Sequence, residues 1–182
     1  MTDTGAEYRT LLVQLDRWSA EARDRHPGVV PCARGCTACC HGPFDISAAD
    51  AVLLRQGLAS LDPAVRGAIR DRARALLDRM RREVPEWGPP WHIDDIGEDR
   101  FDDIVEALAE EPCPLLGADG GCTVYEHRPA ICRMMGLGMR TPEGDLDNAC
   151  PIKHRFPAYA ALPPQRFDLA AFERAEERLN GR

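Results

Sequence analysis

Long apolar runs are missing from this 182-residue chain, and so is any excess of positive charge. Its uncharged apolar stretches last only a handful of residues, well short of the roughly 20 that a membrane-crossing helix needs. The opening stretch, MTDTGAEYRTLLVQLDRWSAEARDR, is charged throughout and holds no apolar block of the kind a secretory leader carries. The expectation is therefore a cytoplasmic protein with no membrane partner. Lys and Arg total 23 against 30 Asp and Glu, a net charge of -7. An acidic chain without a basic stripe is not built for duplex nucleic acid. Internal repeats and linkers are also lacking. With 44% apolar and 29% charged residues, residues 1–182 read as one domain, large enough to bury a core without covalent staples.

The charge that is present is segregated. Residues 94–111 hold nine acids and a single base, Arg100, whereas residues 55–82 hold eight arginines and three aspartates. Two such stretches either face one another or solvate two helices. The acidic one is also a docking surface in principle for a protein partner.

Periodicity predicts a mainly α fold with a small β-hairpin. A helix over 6–26 places Leu11, Leu15, Trp18 and Ala22 on one face beside Leu12, and Pro27-Gly28 ends it. Ser47 and Asp50 resemble a capping box opening a helix over 48–58. Asp62-Pro63 opens another, running to about residue 84, with Val65, Ile69, Ala73, Leu76, Leu77, Met80 and Val84 on one face. Residues 86–97 read as a loop that lays Trp87 and Trp91 on the core. A helix is expected over 100–110. Two short strands follow, at 112–116 and 122–125, joined at Gly120-Gly121. Beyond them come a short helix after Pro129, a strand within 134–140, a polar loop and a last helix over 168–179 with Phe172 and Leu179 inward.

Eight cysteines carry the chemistry: Cys32, Cys36, Cys39, Cys40, Cys113, Cys122, Cys132 and Cys150. Buried free thiols explain one or two of them, but not four packed among Gly, Pro, Arg and Thr. An even count permits disulfides. A chain without an export signal disfavours them, as does the pair Cys39-Cys40, whose members would have to reach in opposing directions. Metal ligation remains, because a soft cation neutralises converging thiolates. If the chain is helical from Cys36, then Cys36, Cys39 and Cys40 share one face. If it is a loop, Gly35 and Gly42 let the backbone turn around a metal. A site drawing on both cysteine stretches would close a long loop and tie metal binding to folding. Arg34, His41, His127, Arg128, Arg133 and Arg140 lie close enough in sequence to offset thiolate charge. Tyr125 is a further polar candidate beside the site.

Zinc and an iron–sulfur cluster both remain open. The spacing Cys32-x-x-x-Cys36-x-x-Cys39 matches that of radical S-adenosylmethionine enzymes, but the chain is too short and too helical for their βα-barrel. The Cys-x-x-Cys spacing of zinc ribbons occurs once only.

Taken together, Cys32, Cys36, Cys39 and Cys40, then Cys113-Pro114-Leu115, Gly121-Cys122 with Val124-Tyr125, Arg128-Pro129 with Cys132-Arg133, and Cys150 resemble the YkgJ-type cysteine-cluster family, the zinc- or iron-chelating CxxCxxCC domain. The resemblance spans residues 31–151, with the first gap one residue longer than the family label. It implies that all eight cysteines are metal ligands in a chelating, redox or accessory protein. Flagellin lysine N-methylases carry a related cluster. That similarity implies an alternative: an iron–sulfur-dependent group-transfer enzyme using S-adenosylmethionine, with His41, Tyr125, His127, Arg128 and Arg133 as its polar groups. No Gly-rich loop after a strand supports that cosubstrate here. An interaction module with purely structural zinc is the third reading.

Overall fold

The computed structural model describes residues 4–33 and 35–181; Arg34 lies outside the described residues. Among the described residues seven α-helices dominate. The first, α1 (Thr4–Arg25), buries Leu11, Leu12, Leu15, Trp18 and Ala22 along the expected stripe. The second, α2 (Ala48–Ala59), starts at Ser47, whose Oγ accepts the Asp50 N–H at 3.1 Å. The third, α3 (Pro63–Glu83), starts at Asp62, whose side chain accepts the Ala64 N–H at 2.8 Å. Both caps satisfy N–H groups that a helix start leaves unpaired. Ile69 and Met80 of α3 are buried with Val84 just after it, but Val65 stays exposed at the outer end of the helix.

After the loop with Trp87 and Trp91 comes α4 (Glu98–Ala107), which begins and ends earlier than the sequence pattern suggests. Gly97 (φ 80°) breaks the backbone before it, and Glu98 and Asp99 complement the positive end of the helix. Then follow α5 (Ala130–Met134), α6 (Pro157–Ala160) and α7 (Leu169–Asn180).

The hairpin lies elsewhere than expected. Strands β1 (Met139–Thr141) and β2 (Gly144–Leu146) pair antiparallel, and β3 (Gln165–Arg166) adds parallel to β1, giving the order β2-β1-β3. Residues 113–125 form no ladder, only one isolated bridge between Leu116 and Cys122. The ladder stops there because Cys113, the next residue that would bond across it, is engaged elsewhere: its N–H donates to the Cys40 carbonyl at 2.9 Å and its carbonyl accepts from the Leu116 N–H at 3.1 Å. On the outer edge the carbonyls of Pro114 and Leu116 accept from the Arg72 guanidinium, at 2.7 and 3.2 Å.

Two apolar clusters result. One joins α1, α2, α5, α7 and β1 around Tyr8, Leu12, Leu15, Leu53 and Phe172. At its edge the Tyr8 hydroxyl lies between the Asp50 carboxylate (2.9 Å) and that of Glu176 (2.5 Å), joining α1, α2 and α7. Burial pushes the Asp50 carboxyl above its ordinary value, although Tyr8 and the Ala130 and Ser47 backbones favour its charged form. The other cluster closes the end of α3 against α4 through Met80, Val84, Trp87, Phe101, Ile104 and Leu108. Trp87 meets Trp91 edge to face, with centroids 5.4 Å apart. The two charged stretches touch where Arg79 pairs with Glu111, and Arg100 donates to the Glu83 carbonyl at the end of α3. Among the described residues no helix is long and apolar enough to cross a membrane.

Candidate metal centre

All eight cysteines are free thiols; Cys150 is buried and the other seven are half-buried. The first run is a loop rather than a helix: Cys36 N–H bonds to the Ala33 carbonyl and Cys40 N–H to that of Thr37, with Gly35 and Gly42 at φ 90° and 75°. These positive values are the left-handed region that glycine enters freely.

A short backbone pairing determines which thiols meet. Gly42 N–H donates to the Glu111 carbonyl at 2.8 Å and Cys113 N–H to that of Cys40 at 2.9 Å, with His41 opposite Pro112. Cys40 and Cys113, remote in sequence, are thereby clamped side by side. A tight turn follows, with Gly117 N–H on the Gly121 carbonyl and Thr123 N–H on that of Leu115, and it carries Cys122 back. The short helix α5 brings in Cys132.

The electrostatics of the thiols record the grouping. Cys39 and Cys40 share a hydrogen bond, which lowers Cys39 to about 6 and raises Cys40. The pair behaves as one site that releases its first proton readily and holds the second. Burial pushes Cys132 up to about 12, with Cys113, Cys122 and Cys39 adding to the rise. Burial also raises Cys113, helped by Cys122 and Cys39. Cys39, Cys40, Cys113, Cys122 and Cys132 thus form one group.

Cys32 belongs to another. Burial raises it, and Cys150 and Cys36 add to the rise. The thiols that act on Cys32 are thus Cys150 and Cys36.

The second group has its own frame. Tyr159, 1% exposed, donates to the Gly136 carbonyl at 2.6 Å and lies 3.9 Å from Cys32 Sγ. Asn148 Oδ1 accepts the Cys150 N–H at 2.9 Å. A Cβ on Gly136 (φ 93°) would sit 2.6 Å from Cys32 Sγ. The tail after Cys150 thus supplies Tyr159 to this group.

The charged and polar candidates divide. His41 and Arg128 favour the thiolate of Cys39, and Arg128 also that of Cys122 and Cys132. Arg128 Nε is buried and has no hydrogen-bond partner among the described residues. Its guanidinium lies 4.0 Å over the Tyr125 ring, which is itself 43% exposed. His127 instead packs on α2, where a Cβ at Gly57 would come within 2.8 Å of it. Arg133 is a buried brace: it pairs with Asp16 of α1 and donates to the carbonyls of Arg128 (3.1 Å) and Glu126 (2.9 Å). Arg140 is bound up with Asp145 in the exposed hairpin. Sequence reasoning missed Arg72, which favours the Cys113 thiolate, and Arg23, which acts on Cys32 and donates to its carbonyl at 2.8 Å. Among the described residues, no three His, Cys, Asp or Glu side chains stand already converged to bonding geometry.

A helical scaffold that gathers unbridged thiols from separate stretches beside fixed cations defines a cysteine-cluster domain. The family model described as "CxxCxxCC: Putative zinc- or iron-chelating domain" matches residues 31–151, and the chain belongs to that family. The matched segment contains all eight cysteines, whereas Tyr159 lies beyond it. No curated protein and no solved structure matches the chain.

Proposed function

We propose that the protein holds zinc or iron through its eight cysteines, in a chelating, redox or accessory role. Cys39, Cys40, Cys113, Cys122 and Cys132 form the main site, and Cys32, Cys36 and Cys150 contribute to a second. The observation that carries this reading is the buried, unpartnered Arg128 Nε beside a group of thiols that raise one another's affinity for protons. A buried donor without an acceptor is costly. Thiolate sulfurs on a metal supply that acceptor, and the metal removes the mutual repulsion of the sulfurs. Loading expels the thiol protons, so affinity falls as pH falls. It also requires side-chain rotation to bring the sulfurs into bonding contact. Five thiols exceed a four-coordinate shell, and the adjacent Cys39 and Cys40 supply the surplus. A three-thiol site leaves a coordination position open.

Anaerobic purification with elemental analysis and an absorption spectrum tests the proposal. Brown protein with a broad band at about 400 nm indicates an iron–sulfur cluster. Colourless protein that yields zinc to a chelator indicates zinc. Cys39→Ser and Cys132→Ser should each lower the metal content. Fresh protein without either metal, or full retention in both variants, refutes the reading.

A further inference from the structure

We propose that a groove between residues 44–46 and α4 binds a basic peptide segment of a partner protein, one carrying lysine or arginine beside an apolar side chain. This inference is independent of the metal reading.

The groove has a volume of about 700 Å³, the size range of pockets that take small ligands or a few side chains. Its floor is apolar and aromatic, made by Met80, Trp87, Trp91 and Phe101. Its rim carries Asp45, Asp94, Glu98 and Asp102. All four carboxylates are exposed. Among the described residues none of them forms an ion pair, although other acids close by do, as with Asp103 to Arg100 and Glu111 to Arg79. The four rim carboxylates are therefore not paired with a base, and they border an aromatic surface.

That combination specifies the occupant. A lysine or arginine side chain lays its alkyl stem on apolar surface and keeps its charged head among carboxylates. Indole rings attract cations through their faces, and Trp91 already does so, with the Arg81 guanidinium 4.9 Å from its centroid. An acidic or neutral peptide would leave the rim carboxylates crowded and uncompensated. The walls are well anchored. Residues 44–46 follow Gly42, whose N–H is fixed to the Glu111 carbonyl, and Trp87 Nε1 donates to the His92 carbonyl at 2.9 Å.

The test uses the full chain and a fluorescein-labelled peptide of alternating lysine and leucine, followed by fluorescence polarisation and tryptophan emission. Binding should shift the tryptophan emission, because Trp87 and Trp91 line the groove. The triple variant Asp94→Asn, Glu98→Gln, Asp102→Asn removes exposed charges with little change of shape and should weaken binding by about tenfold or more. Removing the same charge elsewhere, with Glu143→Gln, Glu173→Gln and Glu177→Gln, should change affinity by less than about twofold. Equal weakening by the two triple variants overturns the proposal, as does equal binding of the matching glutamate–leucine peptide. Displacement of the peptide by an equal concentration of spermine overturns it in favour of a small polycation. Self-association that the groove variant abolishes, seen by sedimentation velocity, overturns it in favour of a second copy of the chain.

Discussion

The two thiol groups are built by different means. The five-thiol group is held by backbone: the clamp between residues 40–42 and 111–113, the turn at Gly117 to Gly121, and α5. Arg128 is the cation beside it. The three-thiol group is held by side chains, with the Tyr159 hydroxyl, Asn148 and the space left by Gly136 fixing its shape. Arg23 is the cation there. The contrast shows that a clamp of main-chain hydrogen bonds places sulfurs whatever the neighbouring side chains are, whereas a packed pocket depends on single atoms.

The largest effect should follow metal removal. If a metal joins the two cysteine stretches, chelation opens the long loop between Cys40 and Cys113, and the melting temperature should drop by about 10 °C or more. Circular dichroism melts of loaded and stripped protein check this, and superimposable curves would break the link between metal and fold.

Next in size is Gly136→Ala. A methyl group at 2.6 Å from Cys32 Sγ, on a left-handed backbone, should cost about 2–4 kcal/mol in denaturant unfolding. It should remove metal from the three-thiol group while the five-thiol group keeps its own. Loss from both would mean that they form one site.

Smaller again is Arg128→Met, which keeps the bulk of the stem and deletes the buried donor. Metal affinity of the five-thiol group should fall by about tenfold, with the three-thiol group unaffected, as competition with a chromogenic chelator would show.

The smallest effect is one of reactivity. Cys39 is lowered to about 6 by its bond to Cys40, whereas burial raises Cys32. The thiolate is the reactive form, so in stripped protein near neutral pH Cys39 should alkylate with iodoacetamide well before Cys32. Mass spectrometry of the labelled peptides at stepped pH should show its rate falling as pH drops through about 6. A faster Cys32 would invert the comparison.

Much of the scaffold was readable from sequence because its signals are local. Ser47 and Asp62 cap the helices they announce, and the stripe from Leu11 to Ala22 is buried as its spacing predicts. The division of the cysteines was not readable. It depends on His41 meeting Pro112, a pairing between distant segments that leaves no trace in either one alone. The expected hairpin stops at a single bridge for a similar cause: the Cys113 N–H is taken by the Cys40 carbonyl, from the distant first cysteine loop. The true hairpin turns at Pro142-Glu143, between Thr141 and Gly144, inside what reads as a polar loop. Tyr159 was invisible because an isolated tyrosine beyond the last cysteine gives no sign of where its hydroxyl ends.

X-ray absorption at the zinc or iron edge of anaerobically prepared protein addresses the coordination itself. The account predicts a nearest shell of sulfur alone, at about 2.3 Å. A shell dominated by nitrogen or oxygen at about 2.0–2.2 Å would contradict it.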